Sequence, residues 1–260
     1  MLLDGQAGLV TGAAQGLGRA IAVRLAGTGA KVIVNDINGA GAEDTVSLIH
    51  RAGGTAVACP GDISVEDDVV RMVAAVSAEF GMIDFACNNA IPAVEMQRIE
   101  DLDHGYARKL ADVILVGTAL CMKHELRALK DRGGAVVNIS STAHLRGQEN
   151  TGFYAGCKAG IEALTRVAAN ESGGFGIRVN AVQAGAMLTP ALRQLLDADE
   201  GVRERVEGGV PLGRIGEPDE IAGVVLFLLS DLASYLTGSV VTADGGGLLH
   251  GSSLARANVD

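Results

Sequence analysis

Residues 11–18 read Thr-Gly-Ala-Ala-Gln-Gly-Leu-Gly, and this glycine-rich segment is the most informative part of the sequence about the fold. It lies between a short apolar run, residues 7–11, and a pattern typical of a helix, residues 19–26. Glycines let a backbone approach a ligand closely, and the N–H groups that begin a helix favour negative charge. We therefore predict that this loop holds the pyrophosphate of a dinucleotide.

The next apolar run, residues 31–36, ends at Asp36. An acid about 20 residues beyond such glycines is positioned to hydrogen-bond a ribose 2′-hydroxyl. A 2′-phosphate would meet carboxylate repulsion there, and the only arginine close after the glycines is Arg19. The pattern therefore predicts a preference for NAD over NADP.

Apolar runs and helical patterns continue to alternate along the chain. The predicted strands are residues 7–11, 31–36, 55–59, 83–87, 135–140, 177–182 and 239–242. The predicted helices are residues 19–26, 42–51, 64–80, 102–129, 152–172, 190–206 and 219–229. This alternation predicts an α/β fold of the doubly wound Rossmann type, with a seven-stranded parallel sheet and helices on both faces. Because no linker-like tract interrupts the chain, we expect one domain over residues 1–260.

Composition excludes several classes of protein. The chain has 31 acidic and 21 basic residues and a net charge of −10, which argues against nucleic acid and anionic membranes as partners. The four cysteines form no Cys-x-x-Cys pair, so we expect no metal site. The longest apolar run, residues 224–229, is too short to span a membrane, and the first residues do not resemble a signal peptide. We expect a cytoplasmic protein.

Further motifs follow the loop in a specific order. They are Asn88-Asn89-Ala90, Ser141 and Tyr154-x-x-x-Lys158. Together with the Thr-Gly-x-x-x-Gly-x-Gly spacing, they resemble the short-chain dehydrogenase/reductase family over nearly the whole chain. The resemblance and the loop together imply these NAD contacts: Thr11, Gly12, Gln15, Gly16, Leu17, Gly18, Asp36, Asp62, Ile63, Asn89, Ala90, Lys158 and Thr189.

The predicted chemistry is hydride transfer between a small secondary alcohol or ketone and the nicotinamide. Tyr154 would be the general acid/base, although a free tyrosine has a pKa near 10. Lys158, one helical turn away, would lower that pKa and, by the resemblance, bind the nicotinamide ribose. Ser141 would hydrogen-bond the substrate oxygen. Without the other motifs, a Tyr and a Lys at this spacing would indicate only surface contacts.

Substrate contacts are expected from three loops, residues 91–100, 144–150 and 187–206. The predicted substrate-binding residues are Ser141, His144, Gln148, Tyr154 and Gly185. The resemblance also implies a homotetramer. One departure matters, because Ile114 stands where the family has a catalytic asparagine. Two alternatives therefore stay open: an impaired NAD-binding or scaffold protein, and an enzyme that uses bound NAD for epimerisation or dehydration.

Overall fold

The fold was analysed in a computed structural model, which describes residues 2–249. Seven strands form one parallel sheet in the order β3-β2-β1-β4-β5-β6-β7. The strands are β1 (Ala7–Val10), β2 (Lys31–Val34), β3 (Thr55–Ala58), β4 (Phe85–Asn88), β5 (Gly134–Ser141), β6 (Ile177–Ala184) and β7 (Val240–Ala243). This sheet confirms the predicted fold class. Met1 and residues 250–260 of the predicted domain lie outside the described residues.

Helices cover both faces of the sheet. They are α1 (Gly16–Ala26), α2 (Gly39–Arg51), α3 (Glu66–Phe80), α4 (His104–Leu110), α5 (Thr118–Leu129), α6 (Ala143–Arg146), α7 (Gly152–Ser172), α8 (Pro190–Ala198), α9 (Glu200–Gly208) and α10 (Pro218–Leu229). Helices α1, α2 and α10 pack on one face, and α3, α5 and α7 pack on the other. Within residues 2–249, no helix is both long enough and apolar enough to cross a membrane.

Strands β1 to β6 each contribute to two hydrophobic cores, one on each face, whereas the edge strand β7 contributes to one. In β2, Val32 and Val34 belong to the core under α1, α2 and α10, whereas Ile33 belongs to the core under α3, α5 and α7. Successive side chains of a strand point to opposite faces, so a strand buried on both sides needs an unbroken apolar run. This is why the runs in the sequence predicted the strands well.

The strand order reverses between β1 and β4, and this reversal positions the site. The chain passes from β1 outward to β3 and then returns to β4 on the other side of β1. A crevice therefore opens beyond the carboxyl ends of β1 and β4, where open α/β sheets bind ligands. The loop of residues 11–18 follows β1 directly into this crevice.

Two predicted helices differ from the structure. The helix predicted over residues 102–129 begins at His104, after Asp103 caps it, and is π-helical over Ala111–Gly117 before α5 continues. The helix predicted over residues 190–206 breaks at Asp199, whose backbone is extended and whose side chain accepts a hydrogen bond from Gly201 N and so caps α9. An aspartate favours such a cap over a helix interior.

Candidate active site

The loop after β1 depends on glycines. Gly12 has a φ of 63°, and a Cβ there would lie 2.6 Å from the Ala90 Cα atom. A Cβ at Gly18 would lie 2.1 Å from the Gly12 carbonyl oxygen. Larger residues at either position would therefore push the loop out of the crevice.

The loop is fastened to the residues that follow β4. Thr11 is fully buried, and its Oγ1 accepts hydrogen bonds from the backbone N–H groups of Asn89 (3.0 Å) and Ala90 (3.2 Å). In return, Asn89 Nδ2 donates to the carbonyl oxygens of Thr11 and Gly12, both at 3.0 Å. The structure thus brings Thr11, Asn89 and Ala90 together and uses their polar groups to shape the loop.

The first turn of α1 faces the same crevice. Gln15 precedes the helix and is exposed, and Leu17 packs partly against the core. Residues 16–19 include no acidic side chain, so the positive end of the helix is not neutralised locally. Thr189 and Pro190 reach this turn from the opposite loop, because a Cβ on Gly16 would lie 3.4 Å from Pro190 Cδ and 4.0 Å from Thr189 Cβ.

The carboxylate of Asp36 lies against the loop. Its Oδ2 accepts a hydrogen bond from Ala14 N and its Oδ1 accepts one from Asn38 N, both at 2.9 Å. Arg19 is directed inward, where its Nε donates to Thr45 Oγ1 at 3.0 Å and its guanidinium also meets the Ala14 carbonyl. A glycine cradle, an unneutralised helix start and a strand-end carboxylate together fit a nicotinamide dinucleotide.

Asp62 and Ile63 follow β3 on the neighbouring side of the crevice. Asp62 Oδ1 accepts from both the N–H (2.8 Å) and the hydroxyl (2.7 Å) of Ser64. Ile63 is buried and packs against the π-helical segment, since a Cβ on Gly117 would lie 2.9 Å from its side chain. The Ile63 side chain therefore belongs to the core, which leaves its backbone for the predicted cofactor contact.

The three predicted catalytic residues meet beyond the end of β5. Ser141 is the last residue of β5, and Tyr154 and Lys158 lie one turn apart on α7. The Ser141 hydroxyl lies close to the Tyr154 phenol and accepts a hydrogen bond from Ala143 N at 3.2 Å. The Lys158 Nζ atom lies 5.8 Å from the centre of the Tyr154 ring and donates to the Ile139 carbonyl oxygen at 2.7 Å.

Burial dominates the electrostatics of this trio. Burial raises the pKa of Tyr154 above its ordinary value, and the neighbouring Ser141 hydroxyl opposes that rise. Burial also lowers the pKa of Lys158 to about 8. The predicted lowering of the Tyr154 pKa by Lys158 is thus not seen: burial is the largest cause of the shift and raises that pKa, and the Lys158 ammonium donates to the Ile139 carbonyl instead.

The predicted substrate-binding residues are placed differently from one another. Gln148 is exposed on the loop before α7, and Gly185 follows β6, where a Cβ would lie 2.7 Å from Asp244 Cα. His144, also predicted to bind substrate, has a mostly buried ring whose Nε2 lies 3.3 Å from Glu162 Oε1 and 3.5 Å from Gln183 Nε2. A buried polar network below Ser141 holds this ring.

Ile114 is fully buried at the centre of the π-helical segment. It packs with Leu110, Cys157 and Ile161, and Tyr154 lies against the same cluster. An aliphatic side chain in an apolar cluster cannot accept or donate a proton. Any proton relay from Lys158 must therefore run through other groups.

Tyr106 is a site residue that the sequence did not indicate. Its hydroxyl accepts from Glu95 N (2.8 Å) and donates to the Glu95 carbonyl (3.0 Å), and Gln97 N donates to the Asn150 carbonyl at 2.8 Å. These contacts join the loops of residues 91–100 and 144–150 beside Tyr154. No spacing rule connects Tyr106 to these loops, so only the fold reveals the contact.

Comparison with known proteins places this arrangement in a family. The structure resembles that of a 7α-hydroxysteroid dehydrogenase complexed with NADH and 7-oxo glycochenodeoxycholic acid, with a TM-score of 0.89, 31% identity, and coverage of 94% of this chain and 95% of the other. The doubly wound fold is thus shared with a dehydrogenase whose structure contains NADH.

Two curated relatives and a family model agree. The 2,5-dichloro-2,5-cyclohexadiene-1,4-diol dehydrogenase of Sphingobium indicum is 41% identical over 94% of this chain and 97% of its own length. The cis-4-hydroxycyclohexanecarboxylate dehydrogenase of Sinomonas cyclohexanicum is 40% identical over 92% and 94%. A family model described as enoyl-(acyl carrier protein) reductase matches residues 12–247.

The chain belongs to the short-chain dehydrogenase/reductase family. It is an oxidoreductase that acts on CH–OH groups, interconverts secondary alcohols and ketones and uses a nicotinamide cofactor.

Proposed function

We propose that the protein is an NAD-dependent dehydrogenase for a secondary alcohol carried on a six-membered carbocycle, with Tyr154 as general acid/base. The observation that carries this proposal is the convergence of Ser141, Tyr154 and Lys158 beside the glycine loop. The two curated relatives, whose names specify a cyclohexadiene diol and a hydroxycyclohexane carboxylate, support the ring.

Each residue of the trio has a distinct task. When bound, the nicotinamide supplies the acceptor for the hydride that leaves the carbinol carbon. In alcohol oxidation Tyr154 would act as the phenolate, take the hydroxyl proton of the alcohol and become the neutral phenol, while Ser141 would hydrogen-bond the same substrate oxygen as it becomes a carbonyl. Lys158 holds its charge close to the phenol, and its ammonium would bind the cofactor ribose.

The carboxylate of Asp36 supports NAD over NADP. It lies at the rim of the loop with both oxygens already accepting backbone N–H groups, so its negative charge is fixed in place. A 2′-phosphate would have to approach this charge. The proposed contacts of NAD are the residues predicted from the loop and its resemblance, with Ile63 acting through its backbone.

We further propose a homotetramer in the cytoplasm. Val116, Phe153 and Val167 expose apolar side chains on the π-helical segment and α7, and burial between subunits would remove them from water. Four free, buried thiols at Cys59, Cys87, Cys121 and Cys157 support a reducing compartment. Light scattering of the purified protein tests the assembly, and a monomeric mass would contradict it.

An initial-rate assay tests the activity. Reduction of NAD is followed with cyclohexanol, cyclohexane diols, hydroxycyclohexane carboxylates and open-chain secondary alcohols, each repeated with NADP. We expect the ring alcohols to have the highest kcat/KM and NAD to be preferred. Tight NADH binding without turnover of any alcohol or ketone would instead support an impaired protein, consistent with the apolar Ile114.

A further inference from the structure

A buried carboxylate lies directly behind the candidate active site. Glu162 is on α7, one turn beyond Lys158, and is only 5% exposed. Its Oε1 accepts hydrogen bonds from Ser140 Oγ at 2.8 Å and from Gln183 Nε2 at 2.7 Å. The same oxygen lies 3.3 Å from His144 Nε2.

Every partner of the Oε1 atom is itself a candidate site residue or is close in sequence to one. Ser140 immediately precedes Ser141, and His144 is three residues after it in the turn of α6. Gln183 lies in β6, two residues before Gly185. One carboxylate therefore connects the two strand ends and the helix that carry the site.

Helix α7 is joined to β5 through a second contact at the same place. Ser140 Oγ lies 3.2 Å from the backbone carbonyl oxygen of Lys158, so this hydroxyl connects the α7 backbone at Lys158 to the Glu162 carboxylate. Gln183 continues the network outward, because its Oε1 accepts from Thr242 Oγ1 at 2.6 Å. The network links α7, β5, β6 and β7.

The charges that face Glu162 are few. Arg166 Nη2 lies 3.7 Å from Oε2, and its side chain is 57% exposed. The His144 Nδ1 atom is buried without a hydrogen-bond partner among the described residues. A buried carboxylate costs desolvation energy that its partners must offset, and apolar residues often replace such groups without loss of stability. Fold stability alone is thus a weak reason for this network.

We infer that Glu162 is a positioning residue, which holds Ser141 in register with Tyr154 and Lys158 by tying the end of β5 to α7. The inference rests on the proposed function, because it assigns Glu162 a task in that same reaction. A small displacement of a reacting group can cost about 100-fold in rate. Removing the carboxylate should therefore affect catalysis more than cofactor binding.

Three variants test the inference in the full-length protein. Glu162→Leu removes the acceptor, and Glu162→Gln keeps an acceptor oxygen without the charge. Glu171→Leu is the matched control, because Glu171 is an exposed residue on the same helix. Steady-state kinetics, NADH affinity by fluorescence and urea unfolding are measured for each variant.

We expect Glu162→Leu to lower kcat by about 100-fold and to leave NADH affinity unchanged within about twofold. Glu162→Gln should recover most of the rate, and Glu171→Leu should match the wild type. If Glu162→Leu does not fold, Ser140→Ala removes one link of the network and should lower kcat in the same direction by a smaller factor. An unchanged kcat in every folded variant would overturn the inference.

A readout that does not depend on turnover separates this inference from the proposed function. Incorporated fluorotyrosine gives three ¹⁹F resonances, for Tyr106, Tyr154 and Tyr235, and a Tyr154→Phe variant assigns the relevant one. The Ser141 hydroxyl lowers the pKa of Tyr154. If Glu162→Leu displaces Ser141 from Tyr154, the ¹⁹F resonance of Tyr154 should therefore titrate at a higher pH than in the wild type.

The activity of the wild type and the effects of Glu162→Leu, taken together, separate the two hypotheses. A wild type that oxidises no alcohol, with a titration that still shifts in Glu162→Leu, refutes the proposed function and supports the positioning role. An active wild type whose rate and Tyr154 titration are both insensitive to Glu162→Leu refutes the positioning role alone.

Discussion

Replacing Glu125 with glutamine should remove a loss of folding stability that occurs as the pH rises. Glu125 is fully buried on α5, where its Oε2 accepts a hydrogen bond from Asn88 Nδ2 at 2.9 Å. Its Oε1 is buried without a partner among residues 2–249. Burial raises the pKa of this carboxyl to about 7, whereas its ordinary value is 4.5.

The two pKa values set the sign and the size of the effect. Between pH 4.5 and 7 the folded state binds a proton that the unfolded chain has lost, so the free energy of unfolding falls as the pH rises through this window. The difference amounts to about 3 kcal/mol once both states are ionised. Glutamine stays neutral, so the variant should be more stable than the wild type at pH 8 by up to about 3 kcal/mol and similar to it at pH 4.5.

Urea unfolding at pH 4.5 and pH 8 measures this double difference. Other groups titrate over the same range, but their contributions cancel between the wild type and Glu125→Gln. Glu171→Gln, on the exposed side of α7, is the control and should keep the wild-type pH dependence. If the wild type and Glu125→Gln lose the same stability from pH 4.5 to pH 8, the buried carboxylate is not protonated as argued.

Three further substitutions test separate parts of the structure. Gly18→Ala should abolish NADH binding measured by fluorescence, because its Cβ would meet the Gly12 carbonyl at 2.1 Å; unchanged affinity would show that the loop is not closed in this way. The Arg178 guanidinium donates to four carbonyl oxygens, two in the last turn of α10 and two just beyond the helix. Arg178→Met should therefore lower the free energy of unfolding, measured in urea, by roughly 2–3 kcal/mol, and a loss below about 1 kcal/mol would show that these bonds contribute little. Asp36→Asn should reduce the ratio of NAD to NADP affinity by about tenfold in calorimetry, and an unchanged ratio would remove Asp36 from cofactor selection.

The strands and the glycine loop could be predicted because each has one physical explanation. The run at β2 is apolar throughout because it is buried on both faces, and the short loop of residues 11–18 tolerates little but glycine where it meets Ala90. The trio of Ser141, Tyr154 and Lys158 was predicted from its motif spacing. The three residues lie together beyond the end of β5, and their catalytic roles stay a prediction.

The features that the sequence did not predict depend on tertiary contacts. The sequence of Ala111–Gly117 predicts an ordinary α-helix, whereas in the structure this segment is π-helical and packs against Ile63 and α7. Glu162, four residues after Lys158, matches the pattern of a solvated helix face, yet it is buried by residues of two strands. His144 was assigned to substrate because it lies three residues after Ser141, and the sequence contains no sign of its buried partner Glu162, 18 residues away.

The most direct test is a single-turnover measurement on Tyr154→Phe. The enzyme is saturated with NAD, mixed with a cyclic secondary alcohol, and NADH formation is followed at 340 nm, with NADH affinity measured in parallel. A proton-accepting role for Tyr154 predicts that NADH affinity is retained while the hydride-transfer rate falls by about 100-fold or more. A variant that forms NADH at the wild-type rate would contradict it.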